Sequence, residues 1–413
     1  MNAPKLRFKG FNLEWHAETL EKYLTFNNGI NAEKGSYGHG RKFINVLDVL
    51  NNNSITYDKI IGSVSVSPKI EESNKVEYGD ILFLRSSETR EDVGKSSVYL
   101  DKEEHALFGG FVIRGKKQCE YNPYFLKLNL ESPNVRKQIG SKAGGSTRFN
   151  VSQSILSSVE LNMPSIDEQI LIAEFFEKLD TKIQKQQEKI ELLNTQKKGL
   201  MQKIFSQEFR FKDGNGQEYP EWTYKRLKEL VTPIKGNSVE DVSITSIPVL
   251  SISAKVGFLD QKDRFSQVIA GNSLSKYTAL RKYDLSYNKG NSKAAKYGCV
   301  YMLDAYEEAL VPNVYKSFRT KTNVDPLYLQ YYFSSKLPDK ELKKIISSTA
   351  RMDGLLNVSD SDFYNIPILS PNLDEQIKIS SFLLNLEKKI RKEEDKLSIL
   401  SGQKNGLMQQ MFI

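Results

Sequence analysis

Residues 167–202 read "DEQILIAEFFEKLDTKIQKQQEKIELLNTQKKGLMQ", and residues 374–409 read "DEQIKISSFLLNLEKKIRKEEDKLSILSGQKNGLMQ". The second stretch follows the first by 207 positions, and neither copy carries an insertion. Similarity of this length at a fixed offset indicates an internal duplication. The chain therefore consists of two related halves, each built around its own copy of this segment.

Shorter matches extend the repeat toward the start of each half. The only two tryptophans, Trp15 and Trp222, are related by the same offset, as are the Asn-Val-Ser tripeptides that begin at Asn150 and Asn357. The sequence "LRFKG" near the start of the first half is echoed by "FRFKD" in the second. The residues between these anchors diverge, so the connecting segments have been preserved while the bodies of the halves have changed.

Each copy of the long segment predicts a helix. Pro164 and Pro371 each precede an acidic pair by three residues, and negative charge suits the first turn of a helix. The apolar residues behind this start recur at steps of four and three, which is a heptad period. The predicted seam consists of Ile172, Phe176, Leu179, Ile183, Gln186, Ile190, Leu193, Lys197, Leu200 and Ile204 in the first copy, and of Ile379, Leu383, Leu386, Ile390, Glu393, Leu397, Leu400, Lys404, Leu407 and Met411 in the second.

A seam sustained over more than four heptads calls for a helical partner. We expect the two helices to pair with each other as an antiparallel coiled coil, related by a pseudo-two-fold axis. The polar seam positions match between the copies, and such residues fix register at a cost in stability. The alternative is that each helix packs on its own globular domain, which usually requires a wider apolar stripe.

The remaining sequence predicts an α+β fold with two mixed α/β domains. Segments such as "DILFLRS", "SSVYLD" and "GFVIRG" have the composition of strands, and "NPYFLKLNLES" and "DPLYLQYYFSS" that of short helices following them. The predicted boundaries are 1–160 for a first domain, 161–206 for the first helical spacer, 207–367 for a second domain and 368–413 for the second spacer.

Composition narrows the class of protein. The start of the chain has no apolar signal-peptide region, and no apolar run reaches the roughly 20 residues that a bilayer span needs. Cys119 and Cys299 occupy non-matching places, so we expect neither a disulfide framework nor a cysteine or histidine metal site. The net charge of +8 permits a nucleic-acid partner without requiring one. These features predict a soluble cytoplasmic protein.

The layout resembles the specificity subunits of type I restriction–modification enzymes, and the resemblance covers the whole chain. It is carried by "NVSQSILSSVELNMPSIDEQILIAEFFEKLD" and "NVSDSDFYNIPILSPNLDEQIKISSFLLNLE", and also by "PKLRFKGFNLEW". A proline, a short gap, an acidic residue, Glu-Gln and a long helix form a specific combination when they occur twice.

The resemblance implies a non-catalytic DNA-recognition subunit that works in host defence and in DNA methylation. Each domain would be a target-recognition domain that reads one half of a split double-stranded DNA site. Because the two domains differ greatly, a non-palindromic bipartite site is expected. The helix pair would set the gap between half-sites and dock two modification (methyltransferase) subunits, and motor–nuclease restriction subunits would join them. The chain would hold no cofactor of its own, since S-adenosylmethionine, ATP and magnesium would belong to the other subunits.

Loops rich in glycine, serine, asparagine and cations are the predicted DNA contacts, because direct readout needs donors and acceptors that reach base edges. The alternative is that such loops are ordinary exposed turns. The candidates are Tyr37, His39, Arg41, Lys42, Arg85, Ser86, Lys95, Lys142, Gly145, Ser146, Thr147 and Arg148 in the first half, and Asn288, Lys289, Asn291, Lys293, Lys296, Thr349, Arg351 and Met352 in the second.

Two fragments suggest catalysis only weakly. "NPYF" at Asn122 resembles the motif of amino-group methyltransferases, but Tyr124 replaces the second proline. "GKSS" at Gly94 resembles a phosphate loop, yet Thr89 stands where the first glycine is needed. Two further functional classes remain open. A single-chain methyltransferase or nuclease would need a cofactor motif, and a coiled-coil scaffold for two proteins would be blind to DNA sequence.

Overall fold

The structure is a computed structural model that describes residues 3–234, 236, 247–264, 277–290, 292–346 and 355–413. It contains two compact units, the first made of residues 1–188 and 395–413 and the second of residues 189–394. Each long helix is therefore divided between the units. The domain boundaries predicted from the sequence remain predictions.

The first unit is a mixed α/β body. Its strands are β1 (His16–Thr19), β2 (Leu24–Asn28), β3 (Tyr37–Ile44), β4 (Ser54–Ile55), β5 (Ser63–Val64), β6 (Ile81–Leu84), β7 (Ser86–Ser87), β8 (Ser96–Tyr99), β9 (Leu107–Phe108), β10 (Val112–Lys117), β11 (Phe149–Asn150) and β12 (Glu160–Met163). Its helices are α1 (Val46–Asn51), α2 (Pro68–Ser73), α3 (Pro123–Leu130), α4 (Pro133–Lys142), α5 (Gln153–Ser157) and the first part of α6 (Ile166–Phe205).

The main sheet of this unit runs in the order β2-β10-β6-β8-β4. Its neighbours are antiparallel except for the parallel pair β4 and β8. A second sheet runs β5-β3-β9, and β1 pairs with β12 and β7 with β11. Strand β6 reads Ile-Leu-Phe-Leu and is buried on both faces, as expected for the centre of a sheet that is covered on each side.

The second unit repeats this plan. Its strands are β13 (Thr223–Arg226), β14 (Val231–Ile234), β15 (Leu250–Ser253), β16 (Gly257–Asp260), β17 (Tyr277–Arg281), β18 (Leu285–Asn288), β19 (Cys299–Met302), β20 (Glu308–Pro312), β21 (Lys316–Thr320) and β22 (Pro367–Ser370). Its helices are α7 (Leu227–Leu230), α8 (Gln261–Arg264), α9 (Pro326–Ser334), α10 (Asp339–Ile345), α11 (Asp360–Tyr364) and the first part of α12 (Leu373–Met411). The sheet order is β14-β21-β18-β19, and β13 pairs with β22 as β1 does with β12.

The repeated Asn-Val-Ser tripeptide ends in a helix cap in both units. The hydroxyl of Ser152 accepts a hydrogen bond from the backbone N–H of Ile155 and starts α5, and that of Ser359 accepts one from Asp362 and starts α11. A serine at this position satisfies an N–H group that the helix cannot pair itself. The tripeptide therefore begins the same turn, short helix and strand that lead into each long helix.

The long helices pair in antiparallel fashion within each unit. In the first unit Ile172 and Phe176, near the start of α6, share a buried cluster with Met408 and Met411 at the end of α12. In the second unit the end of α6 and the start of α12 share the equivalent cluster. The predicted architecture of mixed α/β domains with two long paired helices is thus confirmed. All of the predicted seam residues lie buried or half-buried.

The first helix pair also forms part of the domain core. Phe412, just beyond α12, stacks on Phe125 of α3 at 5.6 Å between ring centroids and meets Trp15 edge-on at 6.2 Å. Phe412 directly follows Met411, the last residue of the second seam, so this helix buries one stripe on its partner helix and its end on the domain. Both arrangements considered from the sequence, a pair of long helices and a long helix packed on its own domain, are therefore present in part.

The "DEQ" at the start of each long helix anchors the rest of its unit. Glu168 is fully buried and binds both Nε and Nη2 of Arg7, at 2.6 and 2.7 Å. Glu375 is equally buried and accepts hydrogen bonds from Arg210 at 2.9 Å and from the indole of Trp222 at 2.9 Å. A buried carboxylate has to be paired, so the acidic residue and the arginine of "RFK" are needed together.

The glutamine of the same tripeptide ties the long helix to the short one. The side-chain carbonyl of Gln169 accepts a hydrogen bond from the backbone N–H of Asn122 at 3.0 Å, and that of Gln376 accepts one from Asp325 at 3.0 Å. Asn122 and Asp325 are the caps of α3 and α9. The repeated sequence therefore encodes a joint between each domain and its helix, besides a coiled-coil seam.

Candidate nucleic-acid interface

A groove of about 670 Å³ in the first unit collects polar side chains from three separate parts of the chain. Strands β7 and β11 pair with Ser87 opposite Phe149 and Ser86 opposite Asn150, which joins the loop after β6 to the loop after α4. The groove is lined by Asn28, Arg85, Lys142, Gly144, Asn150, Val151, Ser152, Gln153, Ser154 and Ile155. We call this the β7–β11 groove.

The predicted residues Arg85, Ser86 and Lys142 meet at or beside this groove. Arg85 is exposed and donates to the carbonyl of Gly110 at 3.2 Å. The hydroxyl of Ser86 donates to the side-chain oxygen of Asn150 at 2.5 Å. Lys142 is exposed and donates to the carbonyl of Ser158 at 2.8 Å. Cations and amides in one groove provide both phosphate contacts and the paired donors that base edges need.

The loop that ends at Arg148 lies fully exposed next to the groove. Gly145 adopts φ +115°, a conformation that favours glycine, and a Cβ atom there would lie 1.9 Å from the carbonyl oxygen of Arg148. The turn presents Ser146, Thr147 and Arg148 to solvent. Among the described residues, the guanidinium of Arg148 makes no ion pair or hydrogen bond, which leaves it available to a ligand.

The candidates on β3 lie in the other sheet of the first unit. Tyr37 and His39 are exposed. Arg41 pairs with Glu71 at 3.3 Å and with Glu104 at 2.9 Å, and a hydrogen bond to His105, followed by the charge of Arg41, lowers the pKa of Glu71. Lys42, also a candidate, donates to the carbonyl of Ile60 at 2.6 Å. Arg41 and Lys42 are thus engaged within the protein, unlike Arg148.

Lys95 of "GKSS" pairs with Asp92 at 2.6 Å, and this hydrogen bond lowers the pKa of the Asp92 carboxyl. Ser96 and Ser97 are buried on strand β8. A phosphate loop would present these residues at the start of a helix. The segment is therefore a turn leading into a strand.

In "NPYF", the Asn122 side chain accepts a hydrogen bond from the N–H of Phe125 at 3.0 Å and caps α3.

In the second unit the predicted residues begin at Asn288, the last residue of β18, and continue into the loop after it, whereas Arg85 directly follows β6. The amide of Asn288 donates to the carbonyl of Ile252 at 3.0 Å, and its oxygen accepts from the N–H of Gly290 at 2.9 Å. The carbonyl of Lys289 accepts from the N–H of Leu356. Lys293 and Lys296 are exposed. Asn291, Thr349, Arg351 and Met352 lie outside the described residues.

Sequence reasoning missed several polar residues of the β7–β11 groove. Asn28, at the end of β2, and Gln153, in α5, line it beside Asn150. Arg90 packs beside the groove, with its guanidinium 4.6 Å from the centroid of the Phe149 ring on β11. The repeat of Asn150 at Asn357 was a usable signal for one of them. For Asn28 and Gln153 no local signal exists, because only tertiary packing brings β2 and α5 to this groove.

Two further searches cover only the described part of the chain. There, no cluster of three or more histidine, cysteine, aspartate or glutamate side chains has the geometry of a metal site. Within the same residues, no helix is long and apolar enough to cross a membrane.

Comparison with known proteins agrees with this architecture. The family model of the type I restriction modification DNA specificity domain matches residues 18–194. The EcoKI specificity subunit of Escherichia coli (strain K12) is 23% identical over 329 residues, which cover 75% of this chain and 68% of that protein. The S subunit of a type I restriction–modification system from M. genitalium has a similar fold, with a TM-score of 0.57, 14% identity and coverage of 100% of this chain and 99% of that one.

The chain is similar to the type I specificity subunits, and their DNA specificity domain is matched within its first half. The resemblance predicted from the sequence is confirmed.

Two further proteins match at similarly low sequence identity. The putative MjaX specificity subunit of Methanocaldococcus jannaschii is 26% identical over 198 residues, which span 47% of this chain and 46% of that protein. A chain from a structure on complex assembly and conformational transition of the type I R-M system has a TM-score of 0.53 at 15% identity and covers 97% of this chain. At such low identity the solved structures establish the fold alone, so the function of this chain has to be argued from its own residues.

Proposed function

We propose that this chain is the DNA-recognition subunit of a type I restriction–modification complex, and that each unit reads one half of an asymmetric bipartite site. The proposal rests on a contrast between two parts of each unit: the contacts that join the domain to its long helix, and the loops that carry the candidate DNA contacts. The Arg-Glu and Gln-backbone contacts are the same in both units, whereas the residues after β6 and after β18 differ. The same scaffold thus presents two different sets of side chains.

The chemistry of the first unit suits DNA. Arg85 and Lys142 can neutralise phosphates, and Asn28, Asn150 and Gln153 offer the donor–acceptor pairs that distinguish bases in the major groove. The free guanidinium of Arg148 is the best candidate for a bidentate contact to guanine. In the second unit the equivalent position is occupied by Asn288, at the end of β18, and by Lys289, directly after it.

The remainder of the proposal concerns partners. We propose that the paired helices set the distance between the half-sites and dock two modification subunits, and that motor–nuclease subunits join that complex. The chain itself would be non-catalytic, and S-adenosylmethionine, ATP and magnesium would be bound by the other subunits. The internal repeat supports two equivalent docking faces, because the two long helices carry similar sequences.

The test is a methylome. This chain is co-expressed with its genomic-neighbour modification subunit in a host without DNA methylation, and methyladenine is located by single-molecule sequencing. Two different short blocks separated by a fixed gap are the expected result. One uninterrupted motif would mean that only one unit reads DNA. No methylation by an assembled, soluble complex would favour the scaffold function, and S-adenosylmethionine binding by the isolated chain would favour a single-chain enzyme.

A further inference from the structure

A second large cavity lies in the first unit, away from the β7–β11 groove. It has a volume of about 1040 Å³ and is bounded by the segment after α1, by α3 and by the parts of α6 and α12 that belong to this unit. Side-chain amides supply much of its lining, among them Asn51, Asn52, Gln184, Asn405 and Gln409. We call it the amide-lined cavity.

A hydrogen-bonded network forms one wall of this cavity. The carboxylate of Asp180 accepts from Lys404 at 2.5 Å, from the hydroxyl of Tyr124 at 2.5 Å and from the amide of Asn53 at 3.2 Å. The oxygen of the Asn53 amide then accepts from Nζ of Lys127 at 2.7 Å. Both oxygens of Asp180 therefore accept hydrogen bonds from other groups, and Lys127 is connected to Asp180 only through the amide of Asn53.

Lys127 is the unusual member of the network. It is 2% exposed, and among the described residues its ammonium makes one hydrogen bond, to a neutral amide. Desolvation by burial lowers the pKa of Lys127. An ammonium has three donors and normally needs a charged partner when it is buried, so this side chain has unused capacity for an anion.

The charges at the rim do not satisfy Lys127. Glu131, directly after α3, and Glu177 line the cavity, but neither carboxylate forms an ion pair with Lys127. Lys404 is already paired with Asp180. The lining holds three cations, Lys59, Lys127 and Lys404, and three carboxylates, Glu131, Glu177 and Asp180, so an anion would be held by the unused donors of Lys127 and not by a net positive charge of the cavity.

The second unit lacks this arrangement at the equivalent place. Gln330 lies five residues after the cap of α9, as Lys127 lies five residues after the cap of α3, and its side-chain oxygen accepts from the N–H of Met302 at 2.8 Å. The rest of the network is kept, because Glu387 accepts from Lys197 and from Tyr331. The buried cation is therefore not a requirement of the shared joint.

We propose that the amide-lined cavity binds a small phosphorylated ligand of nucleotide size, whose phosphate pairs with Lys127. The volume is that of ligand sites in general, and it greatly exceeds the space that an inorganic phosphate alone would fill. The surrounding amides can hydrogen-bond the polar edges of a base or sugar. This site is independent of DNA recognition and would make the first unit responsive to a metabolite.

The experiment is calorimetric titration of the full-length chain with inorganic phosphate, AMP and adenosine. We expect AMP to bind more tightly than phosphate, and adenosine to bind at least tenfold more weakly than AMP. Lys127→Met should weaken AMP binding at least tenfold, and Glu131→Gln should tighten it by removing a competing carboxylate. Lys69→Met, an exposed position on α2 of the same unit, is the matched control and should change nothing.

Three results would overturn the proposal: no heat of binding at millimolar AMP, equal binding of adenosine and AMP, or an unchanged affinity in Lys127→Met. Because methionine has a similar length and carries no charge that has to be desolvated, the Lys127→Met variant should fold. Should it fail to fold, an unchanged affinity in Glu131→Gln would be evidence against the site.

Discussion

Lys404 of α12 donates to Asp180 of α6 at 2.5 Å, and the residues 207 positions earlier and later, Lys197 and Glu387, make the same bond at 2.5 Å. Both lysines are polar interruptions of an otherwise apolar seam. Each acid also accepts a hydrogen bond from a tyrosine of the neighbouring short helix, Tyr124 or Tyr331. The polar seam position therefore connects the helix pair to the domain as well as fixing the pairing of the helices.

Lys404→Met should lower the stability of the first unit by about 2 kcal/mol, because Asp180 would keep its charge in a mostly buried place without a cation. The side chains of this pair are 18% and 14% exposed, whereas those of Lys197 and Glu387 are 23% and 35% exposed. Lys197→Met should therefore cost less. Thermal unfolding of both variants measures the difference. The double variant Lys404→Met with Asp180→Leu should recover most of the loss, and a failure to recover would contradict this explanation.

Arg7→Met should release the N-terminal segment from the long helix and cost about 3 kcal/mol, since Glu168 would be left buried and unpaired. The backbone N–H of Leu6 donates to the carbonyl of Gln410 at 2.9 Å, so its hydrogen exchange reports on this segment. Exchange at Leu6 should accelerate strongly in the variant. Lys9→Met, at an exposed position nearby, is the control and should leave the exchange rate unchanged.

Asp80 should titrate near neutrality. Its carboxylate is buried and accepts backbone hydrogen bonds from Glu77 and Lys117, and burial raises its pKa from 3.8 to about 6. Since the folded state then binds the proton more tightly, the stability linked to this group is complete below pH 4 and is lost as pH rises through about 6. A shift of this size corresponds to about 3 kcal/mol.

Carboxyl carbon chemical shifts measured against pH test this prediction, with Asp80→Asn used to assign the signal. Asp101 is the control within the same unit, because backbone hydrogen bonds, foremost that from Glu104, lower its pKa. If the titration midpoint of Asp80 lies at or below that of Asp101, burial does not raise the pKa of Asp80 and the prediction is wrong. The stability of wild type relative to Asp80→Asn should rise as pH falls from 7 to 4.

Gly145→Ala should weaken DNA binding by the assembled complex about as much as Arg148→Ala does, roughly 1–3 kcal/mol if Arg148 reads a base. The added methyl would collide with the carbonyl oxygen of Arg148 and displace the loop. Gly402→Ala, on α12 of the same unit, is the control, because no atom lies within 4 Å of a Cβ placed there and the position lies outside the β7–β11 groove. Fluorescence anisotropy on specific and non-specific duplexes measures both. If Gly145→Ala binds DNA as tightly as the control variant does, this loop is not part of the interface.

A circular permutant should fold. Leu6 and Gln410 are hydrogen-bonded through their backbones, and in the second unit Phe209 and Lys203 make the same contact at 3.1 Å with only Ile204–Glu208 between them. Ile413 could therefore be joined to the segment before Leu6, and new ends could be opened after Gln207, which has a positive φ of 62°. The circular dichroism spectrum and the unfolding temperature should stay close to those of the native chain. Loss of α12 helicity would contradict the prediction.

Much of this architecture was predictable because it depends on short-range patterns in the sequence. The prolines before the long helices and the strand of Ile81–Leu84 were visible as short-range patterns. The Asn-Val-Ser tripeptides were recognised only as a repeat, and the structure shows that their serines cap α5 and α11. The candidate site was less predictable. Arg85 and Arg148 were found from loop composition, but composition alone could not separate them from Arg41, which Glu71 and Glu104 hold within the protein.

The sequence by itself determined the duplication, the two long helices and the spacing of their seam, because a heptad repeat and an internal match are properties of neighbouring residues. Only the tertiary structure decided which loops form the β7–β11 groove, that Glu168 is paired with Arg7, and that Lys127 is buried with a single neutral partner. These relationships join residues far apart in the chain, and their energies depend on burial, which no local pattern reports.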